Sequence, residues 1–483
     1  MLLLICGLMP LILGALLPVL KIQNRKMRMT YVFLSVLFTS VFAGYLIFSG
    51  EEYSLELFRV TDAFVCLLHL DGAGKVYLAL AALLWPLAAL YAAEYMHHEK
   101  REGNFFSWYV MTYGVAILLS AAGNLFTLYI FYELMTLITL PLVWHEMDKH
   151  SIRAARRYMI SLFGGASLGF VALIGFSAFG IGEFIPGGKA VENGGEWFLW
   201  LCMMGFIGFG AKAAVFPLCQ WLPGASVAPT PVTALLHAVA VVNAGVFAVT
   251  RLFYYAVSPA VVQGTWVQQV MLVLSITTIL LGSVMAVREQ HLKRRLAWST
   301  VSNLSYMLFG LSMLTSQGMT AGMAHMVFHG LMKIILFYCA GAVLVQTGRT
   351  QVRQTHGLGR KMPLTFLAFV LAGASLVGVP PFPGFVSKNY LETGAFSQGG
   401  FLPIAGAVVL LLSSVLTAIY IFTVAFPAFF MKLRLAEGEC LPHDPGPCMK
   451  ITFIVLCLLL LAAGIWAGPI VNYLSGIAGG IVS

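Results

Sequence analysis

Charge is what this sequence has least of. Only 10% of its 483 residues are Asp, Glu, Lys or Arg, against about 25% in an ordinary soluble domain, so most of the chain is not built to face water. Its eight cysteines stand singly, at 6, 66, 202, 219, 339, 440, 448 and 457. Without a CxxC pair there is no zinc or iron–sulfur motif, and buried apolar contact is their expected role. A phosphate-cradling GxxxxGK[ST] loop and a dinucleotide fingerprint are missing as well. No cofactor and no metal site is expected, and any energy for work has to come from partners or an ion gradient. The net charge of +9 would suit nucleic acid if it gathered on one soluble face; its placement argues for membrane topology instead.

What the chain has is apolar length, with 60% hydrophobic residues. Runs long enough to cross a bilayer, about 20 residues, fall near 2–20, 29–49, 76–97, 105–123, 125–145, 158–183, 196–222, 230–257, 266–287, 296–314, 319–346, 362–388, 403–430 and 450–474. The first has no basic leader, its positive charges following at Lys21, Arg25, Lys26 and Arg28, so it reads as a retained helix and not a signal peptide. Of the 28 Lys and Arg, 21 fall in loops after odd-numbered runs, Lys100 among them, and four (Arg59, Lys75, Lys189, Arg251) in loops or run ends after even-numbered ones. That asymmetry predicts both termini outside and the basic loops in the cytoplasm of a cell inner membrane. Arg156-Arg157 and Lys293-Arg294-Arg295 read as surface topology determinants beside anionic lipid headgroups.

Three amines remain inside apolar runs, Lys212, Lys333 and Lys388, with one carboxylate, Glu133, and three imidazoles, His237, His325 and His329. A charge at the bilayer centre costs several kcal/mol, roughly 2.5 or more, so each needs a reason. Glu133 alone could be a structural acid bonded to a neighbouring helix; with amines at hand, an ion pair is the economical arrangement. Lys212 lies too deep to snorkel to the surface. His325, His329 and Lys333 recur every fourth residue and stack on one helix face over about 12 Å of rise, either a proton ladder or a polar stripe at a helix interface. His237, with Asn243 after it, can relay protons or bridge a broken helix. Lys388, beside Asn389, can relay or snorkel.

The breaks themselves are visible. Lys212 is followed by Pro217, Pro223, Pro229 and Pro231, and Lys388 follows Val379-Pro380-Pro381-Phe382-Pro383-Gly384. Proline cannot donate its backbone hydrogen bond, so such interruptions survive at membrane depth only where protein or a wet cavity serves the freed groups. The two interrupted runs lie five spans apart, which gives opposite orientations. The expectation is an all-α integral membrane protein of about fourteen transmembrane helices with two inverted five-helix repeats, each containing a broken helix. Residues 1–104 would hold three helices, 105–257 the first repeat, 258–430 the second, and 431–483 a cytoplasmic loop and the last helix.

Several stretches resemble the antiporter-like subunits shared by respiratory complex I, Mrp-type sodium/proton antiporters and membrane-bound hydrogenases. They are Asn124 to Glu133, Lys212 with Pro217, Trp221-Leu222-Pro223, Pro229 to His237, Ala244-Gly245-Val246, Leu292 to Thr300, His325 to Lys333, and Gly384 to Lys388. The resemblance implies a channel acid at Glu133, a broken-helix lysine at Lys212, a connecting histidine at His237, a central relay of His325, His329 and Lys333, and an exit-side lysine at Lys388. It further implies two half-channels joined along the membrane midplane, with no catalytic chemistry of the chain's own. Implied partners are other membrane subunits, homologous ones included, a soluble redox module, protons, Na+ and lipid, and no nucleic acid. His237 and the Lys388 stretch are most similar to the complex I subunit ending the proton-pumping arm and to the large Mrp subunit. The chain stops soon after the fourteenth run, without their long lateral helix or extra domain. Hydrogenase-like, formate-hydrogenlyase-like and Mrp-like assemblies therefore stay open. The alternatives are a cation (Na+)/proton antiporter subunit working without redox partners and a non-conducting membrane anchor.

Overall fold

The computed structural model describes residues 1–99, 101–191, 194–435 and 441–481; Lys100 and Cys440 lie outside them. Nearly everything is helix. The chain begins α1 (Leu2–Val19) and α2 (Arg25–Phe48), then makes an antiparallel hairpin, β1 (Tyr53–Thr61) and β2 (Phe64–Leu70). It continues through α3 (Gly72–Tyr95), α4 (Glu102–Ser120), α5 (Leu125–Val143), α6 (Lys149–Ala178) and α7 (Gly195–Gly210). Four shorter helices follow, α8 (Trp221–Ala225), α9 (Thr230–Ala238), α10 (Val241–Arg251) and α11 (Pro259–Val262). The rest is α12 (Trp266–Arg288), α13 (Leu292–Ser312), α14 (Ser316–Thr347), α15 (Pro363–Val377), α16 (Pro383–Gln398), α17 (Phe401–Phe430), α18 (Pro447–Ile465) and α19 (Ala467–Gly479). Asn24, Asp71, Asn124, Asp148 and Thr315 start α2, α3, α5, α6 and α14 by accepting first-turn backbone N–H groups with their side chains, the usual satisfaction of donors that a helix start leaves free.

Among the described residues, ten helical stretches are long and apolar enough to cross a membrane, or eleven if the pair bent by 116° at residues 352–377 counts as one. Missing from that set is α13, read above as the run 296–314. It carries Ser299, Thr300, Ser302, Asn303, Ser305 and Ser312, and every residue but Arg294 is buried. A helix walled in by protein meets no lipid and can be polar, provided its polar groups find partners. The segment Thr230–Ala256 and α14 are likewise interior, whereas α1, α2, α17 and α18 offer wide apolar faces outward.

The hairpin departs from the all-helical expectation. Cys66, Leu68 and Leu70 alternate inward along β2, the period-two pattern of a half-buried strand. Its backbone is tied to α5: Asn124 Nδ2 donates to Val65 O at 2.6 Å and Leu67 N–H to Thr127 Oγ1 at 2.8 Å. Gly123 N–H bonds Leu67 O of the hairpin, and from there a run of contacts crosses that end of the bundle: Phe184 N–H to Gly123 O, Lys189 N–H to Ala256 O, Tyr254 Oη to Leu311 O, and Gln398 Nε2 and Gln268 Nε2 to Met313 O. The opposite end holds the basic residues, where Arg25 and Arg28 pair with Glu102, Met449 N–H bonds Glu94, and Arg349 bonds Arg434 O.

Three placements are corrected. Arg251, expected in a loop or run end on the outer side, is 1% exposed and pairs with the α3 cap Asp71 through both terminal guanidinium nitrogens, ringed by Phe184, Phe247 and Tyr255. A bidentate carboxylate and three aromatic faces are what let a guanidinium stay dry. Lys293 and Arg295, assigned to the surface with Arg294, are buried. Lys293 donates to Ala228 O at 2.7 Å, and Arg295 to Tyr420 O and Thr423 Oγ1.

Candidate functional site

The first break lies at Lys212 itself, earlier than the prolines suggested. Helix α7 ends at Gly210 and a run of turns carries the chain to α8, with Ala214 at φ +55°. Its last carbonyls are all claimed by others. Tyr132 Oη donates to Gly208 O at 3.2 Å and Phe209 O at 3.0 Å, Val215 N–H to Gly210 O, and Trp221 Nε1 to Ala211 O at 2.9 Å. Gly245 on α10 makes room for the turn: a Cβ there would sit 2.4 Å from Ala213 N. Lys212, wholly buried, is therefore free of capping duty. Its ammonium donates to the Tyr132 carbonyl, lies 3.3 Å from the Tyr132 ring centroid, and stands 4.0 Å from Glu133 Oε1. At that separation the pair attracts without a hydrogen bond, so a small shift makes or breaks it.

The second group is threaded on α14. His237, on α9 just before a further interruption at Val239 and Ala240, packs its ring at a 44° tilt against Phe337, centroids 4.6 Å apart. The interruption is served by Asn243 Nδ2 to Ala238 O and Tyr77 Oη to Ala240 O, so Asn243 bridges the break and His237 does not. Both ring nitrogens of His237 and of His329 lack a hydrogen-bond partner among the described residues. Lys333 donates to Ser299 Oγ and to Leu296 O on α13. The His329 ring lies 6.0 Å from that of His325. His325 is held firmly, by Ser387 Oγ at 2.8 Å and Asn303 Oδ1 at 3.1 Å.

The second break separates α15 from α16. Gly378 closes α15 in the left-handed region, φ +97°, where glycine is unstrained. Gly384 N–H meets Ser375 Oγ at 3.3 Å. Lys388, 4% exposed, reaches back to cap α15, donating to Leu376 O at 2.8 Å, Val377 O at 3.0 Å and Ser414 Oγ at 2.9 Å. It does not snorkel. Glu392 follows one turn further along α16, and no ion pair joins it to Lys388 among the described residues.

Thus the seven expected residues fall into two groups, Glu133 with Lys212, and His237, Lys333, His329, His325 with Lys388. No hydrogen bond or ion pair among the described residues joins Lys212 to His237. Tyr132, Asn303, Ser299, Ser387 and Ser414 were missed because serine, asparagine and tyrosine are common in any chain. The one signal for them was the density of hydroxyls in Trp298-Ser299-Thr300-Val301-Ser302-Asn303, too polar for a lipid-facing helix.

Such a construction, many apolar helices around a buried row of amines and imidazoles with interrupted helices at both ends, defines a polytopic membrane protein built to hold charge away from lipid and water. The chain belongs to the NADH:quinone oxidoreductase/Mrp antiporter transmembrane family, whose model matches residues 122–425. It is 31% identical over 435 residues to the Na+/H+ antiporter subunit A1 of Staphylococcus aureus strains JH9 and N315. That match takes in 84% of this chain and 53% of theirs, so the chain spans about half the length of the curated relatives it matches. Its fold is also that of a chain in the Mrp complex from Dietzia sp. DQ12-45-1b (TM-score 0.87, 21% identity, covering 100% of this chain and 98% of that one). A chain of the archaeal membrane-bound sulfane sulfur reductase gives TM-score 0.86 at 23% identity over 99% and 97%. Respiratory complex I from Thermus thermophilus gives 0.83 at 22% over the full length of both chains.

Proposed function

We propose that this chain is a proton-translocating antiporter-like subunit of a multi-subunit membrane complex, moving protons through two half-channels joined by the buried Glu133, Lys212, His237, Lys333, His329, His325 and Lys388 relay. The observation that carries the reading is Lys212, wholly buried at a helix break and 4.0 Å from Glu133. Desolvation favours the neutral amine and a nearby carboxylate the ammonium. Opening or closing that gap therefore decides whether Lys212 keeps its proton. Protons released there pass to the α14 groups, whose imidazoles can each take a proton on one nitrogen and give one from the other. Moving one charge against 100 mV takes about 2.3 kcal/mol, supplied by a redox partner or by another ion's gradient.

The same reading includes fourteen crossings in two inverted repeats, spans four to eight and nine to thirteen, with the domain limits given above. Support comes from the contacts at the two ends, which alternate between the hairpin and the basic cluster as successive runs pass. By charge placement, the basic end faces the cytoplasm of an inner membrane and both termini lie outside. Other membrane subunits, homologous ones included, are the expected partners, in keeping with the complexes in which the similar folds occur. Cation exchange is favoured over redox drive by the name of the curated relatives, a Na+/H+ antiporter subunit.

The test is proton flux across proteoliposomes holding the chain in its native complex. Lys212→Met and Glu133→Gln should each lower it by about a hundredfold, the range for losing a positioned acid or base, with assembly intact. Wild-type flux in both assembled variants would leave the non-conducting anchor as the better reading.

A further inference from the structure

The basic end of the molecule holds a cavity that the relay does not use. Helices α14 and α17, both long and apolar enough to cross a membrane, end there at Thr347 and Phe430. The chain that leaves each of them borders a space of about 860 Å³, within the span of small-molecule pockets, about 300–1,000 Å³. Four cations, Arg349, Arg353, Lys432 and Arg434, line it with the His356 ring. No carboxylate among the described residues lines it or pairs with Arg353, Lys432 or Arg434. The backbone brings these charges together deliberately. Gly348 ends α14 in the left-handed region, φ +65°, and Gln354 Oε1 closes the following loop by accepting Thr350 N–H at 3.1 Å and Gln351 N–H at 2.9 Å. Arg349 ties that loop to the chain after α17, donating to Gln354 O at 3.0 Å and Arg434 O at 2.7 Å. A Cβ at Gly357 would sit 2.3 Å from Leu433 N, so residues 431–435 are packed against the loop and do not trail from it.

Like charges held close repel one another, and an anion among them turns that cost into attraction. Phosphate is the anion this set suits, because guanidinium forks meet its oxygens in pairs and an ammonium adds a point charge. Position decides which phosphate. The cavity opens where two apolar helices reach the membrane surface, and its rim is apolar: Met431 and Leu435 line it at 49% and 40% exposure, and Phe426 and Phe430 stand exposed on the last turns of α17. A free phosphate gains nothing from that rim. A phospholipid does, since its acyl chains lie along the helix beneath its headgroup, and basic pockets between the ends of transmembrane helices are where anionic headgroups settle. We propose that the pocket between residues 348–356 and 431–435 binds the phosphate of an anionic phospholipid, whose acyl chains run along the outer face of α17.

The test counts lipid on the native complex. After delipidation in detergent, phosphatidylglycerol, phosphatidylcholine or inorganic phosphate is added and bound lipid is read by native mass spectrometry, with assembly followed on native gels. The Arg353→Gln/Lys432→Gln pair should hold one phosphatidylglycerol fewer than wild type at low lipid, with that site weakened about thirtyfold, as two Lys/Arg contacts to an anionic headgroup predict. Lys432→Gln alone, the measurement to use if the pair does not assemble, should weaken it about fivefold. Arg153→Gln/Arg156→Gln takes the same charge from the exposed face of α6 and should bind as wild type does. Arg353→Lys/Lys432→Arg, which keeps the charge, should bind as wild type does too. Phosphatidylcholine should not fill the site, and inorganic phosphate should not displace the lipid from it. Equal losses in the two Gln pairs would mean diffuse surface attraction and overturn the proposal. So would displacement by inorganic phosphate, or a wild-type complex that takes up no phosphatidylglycerol there because an acidic segment of a neighbouring subunit already fills the pocket.

Discussion

Each of the two helix breaks has a buried lysine, and the two lysines are held in opposite ways. At the first, the loose carbonyls of α7 are served by Tyr132, Trp221 and backbone amides, which leaves Lys212 facing Glu133 across 4.0 Å. At the second, Lys388 is itself the cap, with its donors spent on Leu376 O, Val377 O and Ser414 Oγ. A lysine that faces a carboxylate without bonding it answers to distance and to any field that moves that charge. One held by a helix C-terminus sits in a fixed dipole. On the proposed function, switching belongs to the Lys212 end and receipt of the proton to the Lys388 end.

The largest expected effect breaks that assignment if it fails. Glu133→Gln should cut proton flux about a hundredfold, whereas Glu392→Gln, beside the lysine that needs no carboxylate, should change it less than about twofold; flux assays on equal amounts of assembled complex decide. Next come the close approaches that shape each break. A Cβ at Gly384 would sit 1.8 Å from Ser375 O, and one at Gly245 would sit 2.4 Å from Ala213 N. Both Gly→Ala changes should destabilise by about 1–3 kcal/mol or more, Gly384→Ala the more severely, read as loss of thermal midpoint in detergent. Tyr132→Phe should cost about 1–2 kcal/mol, because it strips the donor from two carbonyls of the first break, and should leave the second break's hydrogen-exchange protection unchanged.

The smallest effect lies away from both breaks and calibrates them. Asp148 caps α6, and the Ser151 hydroxyl and N–H hold its carboxyl below the usual carboxylate range. Because the folded value is depressed, this contribution is full above the unfolded value, near 3.9, and fades as pH falls through the folded one. Asp148→Ala should lose exchange protection at the Ser151 amide at every pH, the wild type only in acid, and neither should touch flux at neutral pH.

The ionisable skeleton was legible in the sequence because amines and carboxylates inside apolar runs are rare and expensive, so each of the seven announced itself. Their supports were not. Ser299, Ser387 and Ser414 are ordinary residues whose meaning comes from helices folded against them. Arg251 and Asp71 meet across 180 residues of sequence, and Lys293 and Arg295, lying just beyond an apolar run, looked like surface. The hairpin escaped because a search for runs of about 20 residues passes over strands of nine and seven. The prolines point to a helix break from Pro217 onward, whereas the chain turns at Lys212, where Gly210 and Ala214 allow it and Gly245 leaves space.

The most direct measurement is infrared difference spectroscopy of the assembled complex as protons are driven through it, comparing wild type with Glu133→Gln. A Glu133 carboxyl that trades its hold on Lys212 during each passage gives a carboxyl band that appears with flux and vanishes in the variant. Spectra in which protons move and no carboxyl band depends on Glu133 would contradict the switch.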